Sequence, residues 1–157
     1  MTLPHTQLYI QGKYIDAQDG SVLEVRNPLS KELVGTASSA SSEDCSLAVA
    51  AASSAFESWE ETPLSARRDV LLRAAELLAS DEWRVKILRS YQEETGAAPY
   101  WAGWDWKLGM DYLRTSACKA QELHGSFYTS TNVPGAQIIA RRRGMGVVYA
   151  SLSFLSF

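Results

Sequence analysis

SSEDCSLAVAAASSAFESW, residues 41–59, repeats its apolar side chains at intervals of three and four. Cys45, Ala48, Val49, Ala52, Ala55, Phe56 and Trp59 therefore share one face of an α-helix. Ser41 and Asp44 form a capping pair at its start. The hydroxyl accepts from an early backbone N–H, and the carboxylate faces the positive end of the helix.

Two more helices follow directly. TPLSARRDVLLRAAELLAS predicts a helix over 62–80, with Thr62 as cap and Pro63 at the first helical position, where its missing N–H costs nothing. Its apolar stripe is Leu64, Leu71, Ala74, Leu77 and Leu78, and its outer face carries Arg67, Arg68, Asp69, Arg73 and Glu76. DEWRVKILRSYQEETG predicts a helix over 81–95, with Trp83, Ile87, Leu88 and Tyr91 inward and Gly96 as the left-handed stop. A fourth helix is expected over 98–124, ending at His124-Gly125. Trp101, Trp104, Leu108 and Tyr112 lie on one of its faces, and Ala102, Trp106, Met110, Leu113 and Ala117 on another. A helix apolar on so many sides is not a surface helix, so its tryptophans are read as core or inter-domain packing. Gly103 and Gly109 within it predict close backbone approach by another element.

Before the helices the pattern is β. LYIQGKYI, residues 8–15, reads as a hairpin around Gln11-Gly12, and Asp19-Gly20 as a turn. VLEVR is a half-exposed strand ended by Asn27-Pro28, and LVGTA at 33–37 pairs back across LSKE. After the helices, AQIIARRRGMGVVYA reads as two strands around Gly144-Met145-Gly146. The chain as a whole is thus α+β: small N-terminal hairpins, about four helices and a C-terminal strand pair. Residues 1–135 and 136–157 are taken as its two parts.

Composition narrows the function. The chain has 157 residues and a net charge of −3 with both signs interspersed, so neither a nucleic-acid backbone nor an anionic membrane is an evident partner. No signal pattern or membrane-length apolar run is present, and the expected location is cytoplasmic. Two cysteines make no disulfide framework; Cys45 and Cys118 are expected as reduced core residues. His5 and His124 stand apart from other ligand-type residues, and no metal site is assigned. Gly144-x-Gly146 lacks the third glycine and the following helix of a dinucleotide-binding turn.

Taken in order, LYIQGKYIDAQDG, VLEVRNP, the helix pair at 41–80, EETGA at 93–97, the long helix and a basic residue before GMGVV resemble the opening portion of the NAD(P)-dependent aldehyde dehydrogenase superfamily. The likeness runs from about Leu8 to Val148. The tryptophan-bearing segment after Gly96 is most similar to the branch acting on aromatic aldehydes such as salicylaldehyde or vanillin. The resemblance implies a Rossmann-like α/β cofactor domain, of which residues 1–135 would be the N-terminal part, and an oligomerisation hairpin beginning at 136–157. It also implies NAD or NADP as cofactor and oxidation of an aldehyde to the acid.

The family's oxyanion-holding Asn, adenosine-ribose lysine, cofactor loops, general base and nucleophilic cysteine have no counterpart here. Ser153-Phe154-Leu155 stands where the family has Pro-Trp-Asn, and Arg143-Gly144 where it has Glu-Pro. The abrupt change at SLSFLSF is of the kind a truncation, a frameshift or a gene-model error makes. No catalytic, cofactor-binding or metal residue is therefore assigned, and neither cofactor is expected to bind this chain, which is predicted inactive alone. Cys118 sits in a helix without a base, and Glu93 and Glu94 are read as helix-end packing residues. The alternative is a non-catalytic module that associates with another copy or a full-length relative through the strands at 136–150.

Overall fold

The capping pair at Ser41 forms as a reciprocal box. Asp44 N–H donates to Ser41 Oγ (3.1 Å), and Ser41 N–H donates to Asp44 Oδ2 (3.0 Å). Gln18 N–H donates to the same carboxylate oxygen from the strand side (3.2 Å), so Asp44 joins the helix to the chain before it and is itself fully buried. The computed structural model describes residues 3–151.

Among the described residues eleven elements follow one another: β1 (His5–Thr6), β2 (Leu8–Ile10), β3 (Lys13–Ile15), β4 (Val22–Arg26), β5 (Leu33–Ser38), α1 (Ser42–Glu60), α2 (Leu64–Ala79), α3 (Asp81–Thr95), α4 (Pro99–Ala120), β6 (Ser126–Thr129) and β7 (Gln137–Ala140). The β2–β3 hairpin turns at Gln11 (φ 54°) and Gly12 (φ 77°), two positive φ values in succession as a type I′ turn requires. β4 pairs antiparallel with β5, and β1 adds to the other edge of β5 in parallel. The architecture is the α+β arrangement expected from the sequence.

The core lies where α4 crosses α2 and α3. Ala75 of α2 and Ala102, Met110, Ala117 and Ala120 of α4 are buried, and most of these side chains are small enough to let the helices approach closely. Trp106 Nε1 donates to the Leu78 carbonyl (3.0 Å), and the Arg84 guanidinium lies 5.1 Å from the centre of its ring.

Several expectations change. Thr62 does not cap α2: Pro63 occupies the N-cap position, and the Thr62 hydroxyl donates back to the Ser58 carbonyl. Ala75 is buried while Leu77 is 51 % exposed, because α4 crosses α2 along the alanine side. Trp83, assigned inward, is exposed as well, its ring covered by the Lys86 ammonium at 5.2 Å rather than by another helix. α4 stops at Ala120 rather than His124, and nothing lies within 4 Å of a side chain built at Gly103 or Gly109. Its Ala102–Met110–Ala117 face is the buried one; Trp101, Trp104 and Tyr112 of the other face are exposed. The stripe of α1 is also uncovered: Val49 and Trp59 are exposed, Phe56 is half-buried, and Cys45 and Cys118 are exposed rather than core.

The C-terminal pair differs too. β7 pairs antiparallel with β6, Ser126 opposite Ala140 and Thr129 opposite Gln137, across STNVPGA, whereas residues 141–150 form no strand. Ser130 N–H donates to the Ala136 carbonyl, and Gly135 takes φ 78°, closing the ribbon on the side opposite the expected one. The sequence at 152–157, including Ser153-Phe154-Leu155, lies outside the described residues.

One magnitude summarises the packing. The chain exposes 12493 Å². A compact monomer of 17.3 kDa would expose about 7,800 Å². Large apolar side chains of α1, α4 and the β6–β7 ribbon are among those left exposed.

Candidate functional site

The stretches that carry the family resemblance meet in space, and what they build is a joint. Asn27 ends β4. Its Oδ1 accepts from the N–H groups of Leu29 (2.9 Å) and Ser30 (3.0 Å), an Asx turn. Its Nδ2 donates to the Glu93 carbonyl (2.9 Å) in the last turn of α3, satisfying one of the orphan acceptors of that helix end. Two residues beyond the last helical turn's Glu94, Gly96 takes φ 69°, and a Cβ built there would stand 2.9 Å from Leu29 Cγ. Asn27-Pro28-Leu29 and Glu93–Gly96 thus lock strand to helix across 66 residues of sequence. The Glu93 carboxylate pairs with Arg89 (2.8 Å) one turn earlier on the exposed surface of α3.

A second constellation was not legible in the sequence. His5 Nδ1 lies 2.8 Å from Thr36 Oγ1, and its Nε2 lies 3.3 Å from Asp16 Oδ1 and 3.2 Å from Ser38 Oγ. Gln7 Nε2 also donates to Asp16 Oδ1 (3.0 Å). The Gln7 amide, and after it the His5 ring, hold the Asp16 carboxyl below the usual carboxylate range. His5, Asp16 and Ser38 border a cavity of about 290 Å³ whose other lining residues are Ala17, Gly20, Ser21 and Val22. The partners are separated by 11 and 31–33 positions, and no spacing rule links them. The arrangement is a clasp. Asp16 and Ser38 both meet Nε2, with a hydroxyl on Nδ1, so no carboxylate backs the ring as a relay to Ser38 would require.

Between α3 and α4, Tyr91 donates to the Asp105 carboxylate, which with burial pushes the Tyr91 phenol up to about 12. This pair is a packing contact inside the helical layer.

Apart from the His5 clasp, the thiols and metal-ligand types are dispersed among the described residues. Among the described residues neither cysteine thiol has a hydrogen-bond partner, and no three of His, Cys, Asp and Glu come together as a metal cluster. The stretch at 144–146 does not form the glycine turn leading into a helix that a dinucleotide-binding fingerprint needs. Gly144 packs on the Phe56 ring, and among the described residues no helix follows Gly146. No helix among the described residues is long and apolar enough to cross a membrane.

Against known proteins, the profile of the aldehyde dehydrogenase family matches residues 14–154. The chain belongs to this family. Among family members, the vanillin dehydrogenase of Pseudomonas sp. (strain HR199 / DSM 7063) is 41 % identical over 144 residues, 92 % of this chain and 29 % of that protein. The salicylaldehyde dehydrogenase of Pseudomonas sp. (strain C18) is 30 % identical over 76 % of this chain and 24 % of its own length. Of solved aldehyde dehydrogenase structures, an NAD-dependent benzaldehyde dehydrogenase from Corynebacterium glutamicum superimposes with a TM-score of 0.75. It is 28 % identical over 83 % of this chain and 28 % of that one. The chain spans under a third of the length of these relatives. What it matches is the N-terminal part of the aldehyde dehydrogenase fold.

Proposed function

We propose that this chain is the N-terminal scaffold of an NAD(P)-dependent dehydrogenase that oxidises an aromatic aldehyde to its acid, and that it is catalytically inert by itself. The observation that carries the reading is the 41 % identity to a vanillin dehydrogenase over nearly the whole chain, confined to 29 % of that relative. The uncovered apolar faces support it, since a helix stripe such as Cys45–Val49–Phe56–Trp59 is stable in water only when another element covers it. NAD(P), when bound to the complete enzyme, supplies the hydride acceptor. The described residues hold strand to helix through Asn27 and Gly96, and neither cysteine thiol among them has a hydrogen-bonding base.

Two assays test the two halves. The purified chain, mixed with vanillin or benzaldehyde and either nicotinamide cofactor, is expected to produce no reduced cofactor; turnover would refute inertness. A chimera in which residues 14–150 replace the matching segment of a vanillin dehydrogenase is expected to fold and to oxidise vanillin. A chimera that folds but accepts only aliphatic aldehydes would refute the aromatic assignment.

A second reading, association through the C-terminal ribbon, is favoured by one observation. Phe127 and Tyr128 of β6 and Ile138 and Ile139 of β7 are all exposed, so both faces of the ribbon are apolar and both edges are unpaired among the described residues. Mixing the chain with a full-length relative and finding no complex would exclude it.

A further inference from the structure

The β6–β7 ribbon has no extensive packing against the helices or the other strands among the described residues, so its direction depends on the segments that flank it. Behind β7 the chain passes over the last turns of α1. A Cβ added at Gly144 would stand 2.7 Å from Cε2 and 2.9 Å from Cζ of Phe56, so only a residue without a side chain lies flat on that ring. Beside it, Arg143 Nε and an Nη each reach the Glu60 carboxylate at 3.4 Å. Phe56 and Glu60 are four residues apart and present one helix face to the passing chain.

The seat is itself fixed. Arg67 of α2 donates to the Trp59 and Glu60 carbonyls (2.9 and 2.7 Å), closing the end of α1 that receives Arg143. We propose that Arg143-Gly144 is a strap that fastens the chain leaving the ribbon to the C-terminal turns of α1 and so fixes the ribbon's direction. Its two contacts differ in kind. The Gly144–Phe56 contact is steric and insensitive to salt. The Arg143–Glu60 pair, with the arginine 82 % exposed, is screened by salt and contributes the smaller share.

The test is limited trypsin digestion of the full chain, reading cleavage after Arg143 against cleavage at Lys86 within α3 as internal reference. Phe56→Leu keeps a good helix former and removes the ring; Glu60→Gln removes the charge. Unchanged far-ultraviolet circular dichroism establishes that each variant keeps its helices. The expected result is a several-fold rise in the ratio for Phe56→Leu, a smaller rise for Glu60→Gln, and a salt-induced rise in the unmodified chain that Glu60→Gln abolishes. In the unmodified chain the Gly144 α-protons should also be displaced upfield by the Phe56 ring, and return to the open-chain position in Phe56→Leu. An unchanged ratio in both variants, or open-chain α-proton shifts without substitution, would overturn the strap. Neither readout depends on dehydrogenase activity, so its failure leaves the functional proposal standing.

Discussion

Replacing Asn27 by Asp separates the two jobs of one side chain. The Asn27 Oδ1 closes a turn by accepting from Leu29 and Ser30, and its Nδ2 ties that turn to the Glu93 carbonyl at the end of α3. Asp keeps the acceptor and loses the donor. It also sets a negative charge against a helix end that already carries about half a negative charge, an opposition worth roughly 0.3–1 kcal/mol near the surface. Adding the lost hydrogen bond, about 1 kcal/mol net, gives an expected destabilisation of about 1.3–2 kcal/mol for Asn27→Asp. The second Nδ2 contact, 3.5 Å to the Gln92 carbonyl, is too long to count. Asn27→Ala loses both jobs, and because the turn N–H groups can turn to water its cost is expected near 2 kcal/mol. Urea unfolding at low protein concentration, followed by circular dichroism, checks this. With a slope of about 2 kcal/mol per molar, each variant should lower the midpoint by roughly 1 M. An Asn27→Asp midpoint equal to that of the unmodified chain would show that the turn alone matters, and would refute the strand-to-helix joint.

The remaining predictions concern other parts of the molecule. Gly96→Ala should destabilise by about 1–2 kcal/mol, since φ 69° is unfavourable to a side chain and Leu29 must move; an unchanged urea midpoint would contradict this. Asp16 has a depressed folded-state pKa, so the stability it supplies is present above the unfolded carboxylate value near 3.9 and is lost as pH falls through the lower folded value; Asp16→Asn should flatten the acid limb of the stability profile. Tyr91 has a raised folded-state pKa of about 12, so its contribution is full below the unfolded phenol value near 10 and disappears as pH rises through 12. Tyr91→Phe should remove that alkaline dependence, as read by unfolding between those values. The exposed faces of α1, α4 and the ribbon should bind a hydrophobic dye in the native state and drive concentration-dependent association by sedimentation; a strictly monomeric, dye-free chain would contradict the packing described.

The helices, the Ser41–Asp44 box, the Gln11-Gly12 hairpin and the Gly96 stop were readable because each rests on residues within four positions of one another, where periodicity and backbone preference act directly. The family was readable for a related reason, as an order of such local stretches along the chain. Which face of each helix is buried was not local. The α1 stripe and the Trp101–Trp104–Tyr112 face have the pattern of core, yet they are exposed, because burial depends on what stands opposite and a pattern names no partner. The ribbon was misplaced for the same reason: β7 has two flanking segments of similar β character, and only closure of the Ser130–Ala136 turn selects β6. The His5 clasp, the Asn27–Glu93 joint and the seating of Gly144 on Phe56 join residues 11 to 88 positions apart. Sequence supplied their chemistry, and tertiary structure alone brought them within reach, because contact over such distances follows from how the chain folds back rather than from any spacing along it.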